Sequence, residues 1–197
     1  MFVLTIDQKD SRSGSDLIPM ALESFARRGG TNLLLGPERT VGDELQLATA
    51  DAATALDIAL LATRTQQWST GIGVGTVERP LPPSTRAGRG AAFINARTAV
   101  DRAKSDPTRV AIVGGAEASD AEALVRLLVD LRDRRTDKGW EVSDALAGGK
   151  TQQQAAGTLG ITPAAVSLRA KAAGLRVEEQ AIPALTRALT RADIAAS

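Results

Sequence analysis

Cysteine, histidine and tyrosine are all absent from the sequence. Without the first two, the chain cannot build a Cys/His zinc site, a thiolate nucleophile, a Ser-His-Asp triad or an imidazole acid/base pair. It can form no disulfide either, which fits a reducing cytoplasm. Any metal would have to be held by oxygen ligands, and that favours Mg, Mn or Ca. Aromatic residues make up only 3% of the chain, so the core must come from Leu, Ile, Val and Ala. No apolar run approaches the roughly 18 residues of a membrane span. The opening run Met1 to Ile6 turns charged at Asp7, which makes it strand-length and without the basic leader of a signal peptide. These features predict a soluble, cytoplasmic protein with no membrane partner.

The 197 residues can form one large domain or two small ones. The net charge of +1 is uninformative, but its distribution is uneven. From Arg134 to Arg176 seven basic residues stand against three acidic ones. A local basic surface of this kind attracts phosphate backbones.

Apolar periodicity predicts a strand at 2–6, a helix from an N-cap at Ser15 or Asp16 to Arg28, and an apolar run at 32–35 broken by Gly36-Pro37. Two short strands follow, at 39–41 and 45–48, joined by a tight turn at Gly42-Asp43-Glu44. A helix at 51–65, a strand at 68–77, a helix at 91–104 and a strand at 109–113 complete this part. The order β-α-β-β-α-β, then α-β, matches a ferredoxin-like split βαβ unit with an added αβ, with the helices on one face of the sheet. After Gly115 the character changes. A long helix is expected at 118–136, and beyond it no strand pattern occurs. The fold class is therefore read as α+β: a palm-like domain at 1–117 followed by an all-α domain at 118–197. Trp68 and Trp140 are read as packing residues.

The segment 152–174 carries the clearest functional signal. Two helices that cross through a tight turn need a small residue in the first helix, here Ala156, and a residue tolerant of positive φ at the turn, here Gly160. Leu159, Ile161 and Val166 supply apolar anchors. Thr162 is a natural N-cap and Pro163 suits the first helical position. This spacing fits a helix-turn-helix whose second helix, ended by Gly174, enters the major groove of double-stranded DNA. Thr162, Ala164, Ala165, Ser167, Leu168 and Arg169 are the candidate base readers. Gln152, Gln153 and Lys171 are better placed for phosphates. Arg169 falls where the pattern has an apolar residue. A helix-turn-helix reads paired half-sites, so a homodimer is expected. The helix with Leu124 to Leu131 would serve that dimer or open the DNA-binding bundle.

In the first domain, Asp7 ends the first strand, and Asp43 and Glu44 occupy the turn of the adjacent hairpin. Together these acidic groups could bind a divalent cation, which with a triphosphate is the apparatus of nucleotidyl transfer. Gly71 to Gly75 lie in a strand without a following Lys-Ser/Thr, which argues against a P-loop.

Val41-Gly42-Asp43-Glu44-Leu45 resembles the GGDEF motif of nucleotide-cyclase-like palm domains, with Val41 in place of the first Gly and Leu45 in place of the Phe. Gly71-Ile72-Gly73-Val74 resembles the strand those domains write as SIGV. A closer resemblance is to the bacterial SatD family. It rests on Asp7, Ser11 and Arg12, on Gly42 to Gln46, and on Gly90 to Arg97. The resemblance implies metal ligation (Mg or Mn) by Asp7, Glu44 and Asp43, and contact of Lys104 with a nucleotide phosphate. SatD-like chains that carry a C-terminal helix-turn-helix look like regulators. The expected function is thus a DNA-binding transcriptional regulator whose palm domain senses a ligand, such as a nucleotide, or mediates dimerisation. The alternatives are a metal-dependent nucleotide cyclase or nucleotidyl transferase with an accessory helical domain, and a protein-interaction module.

Overall fold

The computed structural model describes residues 1–11 and 14–196. Arg12, one of the residues of the SatD resemblance, lies outside them. The chain divides into two compact units. One comprises Met1–Arg126 together with the stretch from Leu185 onward, and the other comprises Leu127–Ala184.

The first unit is α+β. Its elements are β1 (Phe2–Gln8), α1 (Ile18–Gly29), β2 (Leu33–Arg39), β3 (Glu44–Thr49), α2 (Ala52–Thr63), β4 (Trp68–Val74), α3 (Ala91–Ser105) and β5 (Val110–Val113). Then comes α4 (Ala116–Asp133), within which the first boundary falls. The strands form one mixed sheet in the order β2-β3-β1-β4-β5. β1 lies antiparallel between β3 and β4, β2 and β3 form an antiparallel hairpin, and β5 runs parallel to β4.

Alternation along β1 assigns the two faces. Phe2, Leu4 and Ile6 stand opposite Val74, Ile72 and Thr70 of β4. The next residue of this row on β4, Trp68, meets Phe25 of α1 edge-to-face at 6.4 Å. An apolar crevice between α1 and α2 is lined by both helices and by Trp68. This face therefore carries α1 and α2. Burying each of its Leu, Ile and Phe side chains contributes about 1.5–3 kcal/mol. The other row on β1 is Val3, Thr5 and Asp7, opposite Gly73, Gly71 and Ser69. Val3 and Ala48 pack with Ala92, Phe93 and Ala96 of α3. Helices thus cover both faces, not one as the element order suggested. The cause is local: Gly71 and Gly73 strip β4 of side chains, and α3 settles onto the bare backbone. A Cβ on Gly71 would sit 2.2 Å from the amide nitrogen of Val100, and one on Gly73 would sit 2.1 Å from the carbonyl oxygen of Ala92.

Two local expectations change. β2 runs through Gly36-Pro37 instead of breaking there. It is an edge strand whose register shifts between Leu35 and Glu38, and an edge tolerates a proline that cannot donate to a ladder. Residues 39–41 are consequently the end of β2 and its turn, not a separate strand. The first helix starts at Ile18 with Leu17 as an N-cap that makes no side-chain bond. Asp16 instead accepts the Ile18 amide at 3.1 Å and the Arg39 guanidinium at 2.8 Å.

The second unit holds α5 (Asp137–Leu146), α6 (Gln152–Leu159) and α7 (Pro163–Ala172), followed by the start of α8 (Leu175–Ala195), within which the second boundary falls. Val142, Ala145, Ala155, Ala156 and Val166 form its buried centre, with Leu146, Leu159, Ile161, Ala170 and Leu175 packed around them.

Candidate functional site

In the first unit the sheet register sets Asp7 directly opposite Glu44. Directly opposed residues on antiparallel strands share a face, with Cβ atoms about 4.5–5.5 Å apart. That face lies under α3, and α3 sends two cations down to it. Lys104 pairs with Asp7 at 3.0 Å and with Asp101 at 3.8 Å. Arg97 pairs with Glu44, and the hydroxyl of Thr40 donates to the other Glu44 oxygen at 2.7 Å. Arg97 and Lys104 are seven residues apart, two turns of one helix stripe, so one element delivers both charges.

Asp43 does not join this pair. Its side chain accepts a hydrogen bond from the Ser11 hydroxyl. It lines a separate cleft of about 420 Å³ with Gln8, Ser11, Asp16, Arg39 and Gly42. In that cleft the hydrogen bond from Arg39 is the main cause that holds the Asp16 carboxyl below its usual value. The three acidic residues expected to meet are thus split: Asp7 with Glu44 beneath α3, and Asp43 apart. Among the described residues no group of three metal-ligating side chains comes together. Two carboxylates, each already matched by a side-chain cation, do not fit a divalent ion in this arrangement. Lys104, expected at a phosphate, is engaged with Asp7. Arg97 had no part in the expected site. Its sequence signals are its place at the end of the Gly90 to Arg97 segment and its seven-residue spacing from Lys104.

In the second unit, α6 begins with Thr151, whose hydroxyl accepts the Gln154 amide at 3.2 Å while the Gln154 side chain accepts the Thr151 amide at 2.8 Å. This reciprocal box fixes the start of the helix. The helix ends at Gly160 in the left-handed conformation, with φ 64° and ψ 32°. Three residues, Gly160 to Thr162, separate it from α7. The Thr162 hydroxyl accepts the Ala165 amide at 3.2 Å, and Pro163 opens the helix. Val166 is buried between the two helices and α5.

This packing decides which face of α7 meets solvent. Thr162, Ala164, Ser167, Leu168 and Lys171 are exposed, Leu168 at 70%. Ala165 is half-buried. Arg169 turns back toward α5, its guanidinium 3.9 Å from the Glu141 carboxylate. Gln152 and Gln153 are exposed at the start of α6, where the helix dipole is positive and suits anions. From residue 145 to residue 177 the chain has four basic side chains and no acidic one. Of the four, Lys150, Lys171 and Arg176 are exposed.

A neighbouring cluster was not anticipated. The guanidinium groups of Arg132 and Arg135 lie over the Trp140 ring, at 5.0 and 4.4 Å from its centre, and both pair with Glu178. Arg135 also donates to the Ala173 carbonyl at 3.0 Å. These contacts tie α5 and the end of α7 to the flanking helices, and they remove Arg135 from the cationic surface that charge counting suggests.

No family model matches the chain, and neither a curated protein nor a solved structure matches it.

Proposed function

We propose that the protein is a DNA-binding transcriptional regulator in which α6 and α7 form a helix-turn-helix and α7 enters the major groove. One observation carries the reading: a corner at Gly160 presents a capped, solvent-facing helix from a stretch of 33 residues that contains no acid. Exposed Gln152, Gln153 and Lys171 form the donor set for backbone phosphates. The first unit is a ferredoxin-like palm that senses a ligand, such as a nucleotide, or joins two copies. Its strand order β2-β3-β1-β4, with β1 antiparallel to both neighbours, supports that reading, as does the hairpin at Gly42-Asp43-Glu44.

The test is duplex binding followed by fluorescence anisotropy over a range of salt. Lys171→Ala is expected to weaken binding to all sequences alike and to reduce the slope of log K against log salt by about one. Arg169→Ala is expected to do less, because its guanidinium lies on the α5 side of the helix, 3.9 Å from the Glu141 carboxylate. Unchanged affinity and slope in Lys171→Ala would remove the basis for the reading.

A second reading, a metal-dependent nucleotide cyclase or nucleotidyl transferase, has one observation in its favour: Asp7 and Glu44 face one another in register. Their pairing with Lys104 and Arg97 weighs against it.

A further inference from the structure

We infer that α7 recognises thymine methyl groups, so that its binding site is defined by thymines rather than by guanines. This rests on the DNA-binding reading above and names what that surface reads. Guanine is selected by Arg or Lys forking onto O6 and N7, and adenine by Asn or Gln on N6 and N7. The exposed stripe of α7 holds no amide and no guanidinium. Its one arginine, Arg169, is turned toward Glu141, and its one exposed cation, Lys171, lies in the last turn of the helix. The first two turns present Ala164, Ser167 and Leu168.

A hydroxyl hydrogen-bonds to any base edge and discriminates little. Apolar atoms of Ala and Leu have one partner in the groove, the C5-methyl of thymine. Leu168 is 70% exposed at the centre of this stripe. α7 belongs to a stretch, residues 145 to 177, that holds four basic side chains and no acidic one, and this charge balance favours a polyanion as the occupant.

The experiment uses the full chain. Duplexes are selected from a random library, and the best is remade with uracil in place of thymine, which removes only the methyl groups. The expected result is a thymine-containing consensus and a loss of about fourfold in affinity for each contacted methyl removed, with the salt slope unchanged. Leu168→Ala, a substitution at an exposed position, should discriminate less between the thymine and uracil duplexes than the unsubstituted protein does. A consensus fixed by guanines, selection without a consensus, or indifference to uracil in the unsubstituted protein overturns the thymine inference while duplex binding stands. Failure to retain any duplex overturns both readings.

Discussion

Single residues decide where the helices begin. Thr151 and Thr162 cap α6 and α7, and Asp51 caps α2 by accepting the Thr54 hydroxyl at 2.6 Å and the Thr54 amide at 2.9 Å. A side-chain cap contributes about 1 kcal/mol. The Thr54 hydroxyl bond is the main cause that holds the Asp51 carboxyl below its ordinary 3.8. A carboxylate with a depressed folded-state value contributes stability that is fully present above its unfolded value and is lost as pH falls through the folded one. Urea unfolding is therefore expected to show stability falling with pH below about 4, and Asp51→Asn should flatten that part of the profile. A variant as steep as the parent between pH 4 and pH 2 would show that Asp51 has no share in the acid sensitivity. The same scale sets the direction of Arg169. Its type suggested a base reader, but its rotation on α7 is set by Val166, which must face the centre of the unit.

Among elements, α3 and its seat on β4 matter most. The strand carries Gly71 and Gly73 on one face, and the helix above them carries Ala92, Ala96 and Ala99, all buried. Small residues on both sides bring the backbones together, and the close approach is what lets Arg97 and Lys104 reach Glu44 and Asp7. Gly71→Ala is expected to cost about 3 kcal/mol or more, because the new methyl meets backbone and the helix must move. Gly36→Ala, whose new methyl has nothing within 4 Å, serves as the control and should change stability by less than about 0.5 kcal/mol. Equal effects would show that α3 is free to lift. The edges of the sheet are also managed at this scale. Glu122 of α4 accepts the Ile112 amide at 2.6 Å, and Arg126 donates to the Val110 carbonyl at 3.1 Å, so side chains close the open side of β5. On the far side, the Thr85 hydroxyl donates to the Gly36 carbonyl at 2.6 Å and covers β2.

At the scale of the whole molecule, an acid–base pattern in one unit and an acid-free stretch in the other suggest different tasks. Asp7 and Glu44 of the first unit are matched by cations from α3, whereas Lys150, Lys171 and Arg176 of the second are exposed. With Mg or Mn and ATP or GTP, the full chain is expected to yield no product above background. Turnover that is abolished by Glu44→Gln would establish the second reading instead.

The sequence alone determined most elements of both units, because its signals are local. A near-continuous apolar run marks β1 and alternating apolar residues mark β3, and Thr162-Pro163 and Gly160 fix the start of α7 and the corner before it through backbone conformations that few other residues favour. It also determined the charge imbalance between 145 and 177, which needs no coordinates. Only the tertiary structure decided which side chains meet. Whether Asp7 faces a ligand or Lys104, whether Asp43 turns toward Glu44 or toward Ser11, and whether Arg169 faces a groove or Glu141 depend on sheet register and helix rotation. Those are set by packing among residues far apart in the chain, where a shift of one position reverses the face a side chain occupies.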